Sequence, residues 1–371
     1  MPPAPPSAAQ PLTWRRLAAG ILLLTLLTAV LYGRSISGGL VLDDHNHRAE
    51  LRDGNWSFRS LVEASHLGGT HRRVQMWWQH DADLYFFRPL AFLIIRATYV
   101  AGGWRPEVMH VASLAWGVIC ATLVFALAWR ATGRFGWALF AAVVFVMHPN
   151  NFLAPRWVAC QNEQMAAAFT LAALLTYGYY SGWWPSASTA SPTGRLVALL
   201  AALACYVAAL GCRESAIILP AILLAGDLAT RGRTAGTTPA GEIPRRSPRV
   251  AAYLCFAAIA VAYLLVRRHM LGPVTIPDRP YAWPPGEPGF LGFILDKFVY
   301  YVIGLWAYIP IVGFAGQQQM HAHPAVFYGL FALIVIVWTT ILIASRPPKP
   351  AMRSSMLDLR SWIWPRLSDP R

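Results

Sequence analysis

The sharpest concentration of chemically capable residues is Asp43-Asp44-His45-Asn46-His47, ten residues beyond an apolar run that ends at Gly33. Two adjacent carboxylates near low-dielectric lipid raise each other's proton affinity. One of them can then stay ionised and still be basic enough to take a proton from a hydroxyl. A solvated turn is the plainer alternative. The histidines extend the run into a set that could ligate a divalent cation. All of it lies within five residues, however, and a metal site normally draws on distant segments. Loop polarity is the better reading, and no metal or cofactor is expected.

Further polar residues gather near the ends of apolar runs. Arg213-Glu214 opens the run 214–230, where a helix dipole favours an anion and the planar guanidinium suits phosphate oxygens. The plainer alternative is an arginine that snorkels and pairs with its neighbour. Arg267-Arg268 closes the run 250–266. His148-Pro149-Asn150-Asn151 ends one run and Cys160-Gln161-Asn162-Glu163 begins the next. These amides and carboxylates could hold a polar ligand such as a sugar, or simply cap two helix ends. Ionisable groups at membrane depth are costly, and a functional role is the default expectation.

The elements that must position them are helices in lipid. Of 371 residues, 56% are hydrophobic and 13% charged, about half the charged share of a soluble domain. The apolar residues come in blocks, which excludes a soluble enzyme, a disordered chain and a secreted disulfide scaffold. The formal charge is +14, and Lys297 and Lys349 are the only lysines. The cations are dispersed between apolar blocks, so they read as topology signals and headgroup contacts rather than a nucleic-acid surface. Five cysteines without CxxC spacing point to neither zinc nor disulfides.

Residues 1–16 read as a disordered cytoplasmic N-terminus, with Arg15-Arg16 holding that end inside. An uncleaved first helix follows over 17–33, then a large first outer loop over 34–107. Segment 88–103 is apolar but short and carries Arg96, which predicts an interfacial helix. Further spans are expected at 108–129, 135–148, 163–182, 196–211, 214–230, 250–266, 296–315 and 325–344. The loops with Arg130 and Arg134, and with Arg231, Arg233, Arg245, Arg246 and Arg249, are then cytoplasmic. The count places the tail 346–371 outside, yet Arg346 to Arg371 carries six cations against two aspartates, so either 296–315 is re-entrant or the tail departs from the charge rule. Met76-Trp77-Trp78, Tyr85-Phe86-Phe87 and Trp183-Trp184 fit interface anchoring.

The order LVLDDHNH, FFRPLAFLIIRATY, MHVASL, VVFVMHPNN, ACQNEQMAAAF, CRESAIILPAILLAGDL resembles the membrane half of GT-C glycosyltransferases. It resembles especially the eukaryotic transmembrane O-mannosyltransferases that carry TPR repeats, and their bacterial relatives. It runs from about Leu17 to Gly272, and more loosely to Gly316. The resemblance implies an all-α polytopic integral membrane protein, a GT-C-like helical module over 17–345 with a large first extracytoplasmic loop. It implies a sugar on a polyprenyl phosphate as donor, a protein, lipid or glycan acceptor, membrane lipid as partner, and no nucleic acid. It implies Asp43 as catalytic base and Asp44 as helper or substrate ligand, with Arg88, His148, Arg213 and Glu214 on matching motifs. Gln161 and Glu163 stand where relatives more often show Arg and Asp, and no TPR region follows.

The expected reaction is direct displacement with inversion at the outer face, probed by Asp43→Asn. Arg213, Arg267 and Arg268 would stabilise the departing lipid phosphate. A multi-pass location, as in a bacterial inner membrane, goes with it. A lipid-linked sugar flippase or a non-catalytic membrane scaffold are the other classes.

Overall fold

The computed structural model describes residues 13–68, 83–148, 151, 154–184, 191–234, 247–272, 286, 288–306 and 322–344. The chain divides into two units, residues 1–277 and 278–371. In the first, α1 (Trp14–Tyr32) runs into a 3-10 turn (Gly33–Ser37), then α2 (Asp43–Asp53) and α3 (Phe58–Glu63). A two-residue antiparallel pair, β1 (Leu67–Gly68) and β2 (Asp83–Leu84), precedes α4 (Pro89–Ala101). Next come α5 (Pro106–Thr132), α6 (Phe135–Met147), α7 (Gln161–Ser181), α8 (Pro192–Cys212), α9 (Leu219–Thr234) and α10 (Ser247–Leu271). The second unit holds α11 (Phe290–Trp306) and α12 (Pro324–Ala344). These two pack through Val299 and Ile303 against Phe327, Phe331 and Ile334, with the Tyr328 hydroxyl donating to Asp296 Oδ1 at 2.6 Å.

Among the described residues the regular elements are helices apart from the short β pair, and four of these helices are long and apolar enough to cross a membrane. They span Trp14–Ser37, Pro106–Thr132, Pro192–Cys212 and Arg249–Leu271, which marks a multi-pass membrane protein. Their outward faces are apolar: Val30 is 80% exposed and Leu265 63%, a cost in water and none in lipid. Helix α12 covers the expected run 325–344, whereas other expected spans differ. Helix α6 has 13 residues, and α9 has 16 and begins only after a 3-10 turn over Glu214–Ile218. Helix α7 is long enough but opens on Gln161-Asn162-Glu163-Gln164 and closes on Tyr179-Tyr180-Ser181. For the expected span 296–315, α11 covers residues to Trp306, and 307–315 lie outside the described residues, as do the tail 346–371, residues 1–12 and Trp77-Trp78.

Local sequence explains the helix ends. Ser191 Oγ accepts from Gly194 N at 3.1 Å, ahead of Pro192 at the first helical position of α8. Gly133 and Gly182 end α5 and α7 in the left-handed conformation, at φ 65° and 80°. Lipid tails are as apolar as leucine, so helices in a bilayer associate by close packing at small residues. Ala138 and Ala142 of α6 are fully buried beside Leu24 of α1 and Ala121 and Phe125 of α5. Ala202 and Ala209 of α8 pack likewise against Ala173 and Tyr177 of α7.

Helix α4 has 13 residues, about 20 Å at 1.5 Å per residue, too short for a hydrocarbon core of about 30 Å. Ala91, Phe92, Ile95, Arg96 and Tyr99 are buried, whereas Leu93 and Val100 are exposed. Arg96, the charge inside the apolar run, bonds the carbonyls of Leu51 and Gly54 and lies 4.8 Å from the Trp56 ring. It ties α4 to the end of α2. Gly211 lets α8 approach this helix, since a Cβ there would sit 3.0 Å from Leu90 Cβ.

Candidate functional site

The chemically capable residues lie at one end of the first unit, where α1, α6, α8 and α10 finish and α5 and α7 begin. Asp43 and Asp44 start α2, immediately after Leu42 at φ 47° and ψ −120°, a region that glycine favours and leucine rarely enters. Asp44 holds this turn. Its Oδ2 accepts from Val41 N at 3.1 Å and its Oδ1 from Ala159 N at 2.6 Å. It is 1% exposed; burial raises its pKa, while these amides and the nearby His110 ring pull it back. Both its oxygens serve main-chain donors, so it positions the loop.

Asp43 is only half-buried, one residue earlier and around the helix. Its pKa is raised by burial alone. The basicity expected from repulsion between the two acids has a different source here, namely the desolvation of each one separately. Neither histidine of the motif turns toward the acids with a free ring. His45 Nε2 lies 3.0 Å from Leu40 O, and His47 Nδ1 lies 2.9 Å from Ala64 O. Burial lowers the His47 pKa to about 4, the Arg88 charge acts in the same direction, and the Ala64 bond opposes both. No group of three or more His, Cys, Asp or Glu converges on a metal position among the described residues.

Behind the acids stand two ion pairs that join four elements. Arg88 Nε meets Glu214 Oε2 at 3.0 Å, and Glu214 Oε1 accepts from Phe87 N at 2.8 Å. The Arg88 guanidinium also lies 4.0 Å from the Phe86 ring. Burial works against its charge, and the Glu214 carboxylate works to keep it. Arg213 reaches Glu163 Oε1 at 2.5 Å and Asn162 Oδ1 at 3.0 Å. Cys160 lies within electrostatic reach of Glu163, Arg213, Asp44 and Arg88 together, and burial pushes its thiol up to about 12. The structure therefore gathers Asp44, Arg88, Glu163, Arg213 and Glu214 at one place, with Asp43 the residue before Asp44 in the same first turn of α2.

Other expected site residues sit differently. Gln161 is fully buried and donates from Nε2 to Met109 O and Ser113 Oγ, each at 2.8 Å. Arg267 is at the rim, 3.5 Å from Tyr85 O, and Arg268 is exposed. His148 caps the end of α6. Asn151 donates to Phe145 O, and Asn150 lies outside the described residues. Among the described residues several buried polar side-chain atoms lack a hydrogen-bond partner. Asn46 has no partner for either amide atom, His110 none for Nδ1 and Gln164 none for Oε1. Asp227, at the opposite end of the helices, accepts from Tyr177 Oη, Trp183 Nε1 and Tyr253 Oη at 2.9, 2.7 and 2.8 Å. A lone acid inside an apolar run was the available signal for it.

No protein family, curated protein or solved structure matches the chain.

Proposed function

We propose that the protein is a membrane glycosyltransferase of the GT-C type, moving a sugar from a polyprenyl-phosphate donor to an acceptor hydroxyl at the extracytoplasmic face. The observation that carries this reading is Asp43. It is a half-buried carboxylate with raised proton affinity, placed on a turn that Asp44 clamps, beside two arginine–glutamate pairs. A general base needs raised basicity and a fixed position.

In the proposed step the acceptor O–H gives its proton to Asp43, and the oxygen attacks the anomeric carbon as the bond to the phosphate oxygen breaks. The configuration inverts, and the lipid phosphate departs with the electron pair. Preorganised cations lower the cost of its developing charge. Arg88 and Arg213 are each held against a carboxylate, so their part is to fix the geometry of the cleft.

The paired charges equally suit a non-catalytic membrane scaffold, and one assay separates the two. Purified protein is incubated with polyprenyl-phosphate sugars, and release of lipid phosphate is followed for the parent and for Asp43→Asn. Transfer by the parent and its loss in the variant are expected. An unchanged rate in the variant would reject Asp43 as the base, and no release by the parent with any donor would favour the scaffold.

A further inference from the structure

The acid pair is reached through a turn over residues 38–42 that ends on Leu42, at φ 47°. Three consecutive residues of this turn are each gripped by a different side chain. Gly39 O lies 2.7 Å from His110 Nε2, Leu40 O lies 3.0 Å from His45 Nε2, and Val41 N donates to Asp44 Oδ2 at 3.1 Å. His45 and Asp44 belong to α2 and move with it. His110 comes from the first turns of α5, 71 positions away from Gly39. Asp44 is tied separately to the segment before α7, through Ala159 N. His110 thus supplies the fixed point at the entry to the turn, and Asp44 the one at its exit.

The support under His110 is firm. Gln161 of α7 donates to Met109 O and Ser113 Oγ, each at 2.8 Å, one residue before His110 and three after it. The ring is 1% exposed. A carbonyl only accepts, so the nitrogen that faces Gly39 carries a hydrogen whether the ring is neutral or charged. Nδ1 has no partner, which leaves the grip on Gly39 as the ring's hydrogen bond among the described residues. The charged groups near the ring are Asp44 on α2, and Arg34 and Arg156, which line a cavity with it.

A residue held in a rarely populated conformation persists only where its surroundings over-determine it. Leu42 is such a residue, and Asp43 follows it directly. With Gly39 released, the turn can relax through Leu42 and Asp43 can swing toward water. We propose that His110 is a positioning residue for Asp43: by holding Gly39 O it keeps the strained turn in place and the Asp43 carboxylate half-buried at the start of α2. The catalytic meaning of this rests on the proposed glycosyl transfer, whereas the placement of Asp43 can be read with no sugar present.

Asparagine and glutamine divide the roles of the ring between them. An asparagine amide reaches only as far as Nδ1, whereas a glutamine amide reaches as far as Nε2 and can donate to Gly39 O. Neither titrates. The full chain in detergent is compared as parent, H110N and H110Q. The first measurement applies an apolar carbodiimide, which reacts with protonated carboxyls, across a range of pH. Modification of Asp43 is followed by mass spectrometry, with fragment ions separating it from Asp44. Burial raises the Asp43 pKa, so the parent's midpoint should lie above the ordinary aspartate range. H110N should lower that midpoint by about half a pH unit or more, and H110Q should stay near the parent. The second measurement is the pH profile of sugar transfer. Its acid limb should move with the midpoint, and kcat of H110N should fall about tenfold or more with little change in the donor KM. H110Q should recover most of that loss.

Gly39→Ala probes the same bond from its other end, so the test survives an H110N that does not fold. The added Cβ meets nothing within 4 Å, yet φ 70° strains it, and the midpoint should move the same way as in H110N. A midpoint that stays put in these two variants overturns the role, even if their melting temperatures fall. An H110Q shifted as far as H110N overturns it as well. Should the midpoints move as expected while the parent transfers sugar from no polyprenyl-phosphate donor, the glycosyltransferase reading fails and the placement of Asp43 by His110 stands.

Discussion

Arg213 and Glu214 are adjacent in the chain, yet each pairs with a different element rather than with the other. Arg213 reaches Glu163 at the start of α7, and Glu214 reaches Arg88 at the start of α4. The cause is local: Arg213 is extended, at φ −159° and ψ 139°, and successive side chains of an extended segment point to opposite sides. One break between α8 and α9 thereby locks two other helices in place.

Removing one partner of such a pair leaves the other charge half-desolvated. Arg88→Ala should destabilise the protein by about 1–3 kcal/mol, less than a fully buried pair would lose, because Glu214 remains 27% exposed. In a double-mutant cycle with Glu214→Gln, the two effects should not add. Thermal unfolding in detergent of the four proteins measures the coupling, and strict additivity would remove the pair from the architecture.

Asp43 and Asp44 should respond in opposite ways. Asp44→Ala takes an acceptor away from the amides of Val41 and Ala159 and should cost about 1–3 kcal/mol. It also frees Leu42 to leave its unfavourable conformation. Melting temperature reports the loss, and a variant as stable as the parent would show that the clamp is dispensable.

Asp43→Asn removes a charge that burial disfavours. Its melting temperature at neutral pH should equal or slightly exceed that of the parent, while the proposed sugar transfer should fall roughly 10²–10⁴-fold. The pH dependence follows from the raised pKa. Folded Asp43 keeps its proton to a higher pH than the unfolded chain does. Its contribution to stability is therefore present at low pH and is lost as pH rises through the folded value. The proposed transfer would need the carboxylate, so its rate should climb across that same window and level off above it. A pH–rate profile of the parent that shows no acid limb above the ordinary aspartate range contradicts the assignment.

Asp227 belongs to the other end of the helices. Asp227→Ala strands two tyrosine hydroxyls and an indole N–H and should destabilise by about 2–5 kcal/mol. The rate of the proposed transfer per folded molecule should not change. Gly226→Ala should act by the same route, because the added Cβ would meet the Trp183 ring at 2.5 Å and push its indole off Asp227. Unfolding and activity assays run in parallel separate this from a catalytic effect.

The apolar blocks were readable because a bilayer enforces them: backbone groups in lipid must bond within their own helix, and side chains facing lipid must be apolar. That constraint fixed the helical class, the first helix, the shortness of the apolar helix α4 and the runs behind α5, α8 and α10. It could not say which runs stop short of a full span. Helix α6 has the composition of a span and 13 residues of length, and the run at 214–230 spends its first turn as a 3-10 segment that turns Glu214 toward Arg88.

Composition and spacing also determined which residues could act, since acids and arginines near apolar runs are expensive and few. Only the tertiary structure divided them by role. Asp43 and Asp44 are indistinguishable in the sequence, but α2 turns one inward to two main-chain amides, one of them 115 positions away, and leaves the other half-exposed. Gln161 is drawn into the core against Met109, and His110, unremarkable in the run MHVASL, comes to face a cavity with Arg34 and Arg156. The physical reason is the same in each case. A residue type sets what a group can do, whereas its solvation and its partners come from elements far away in the chain, and these decide whether it holds the fold or meets a substrate.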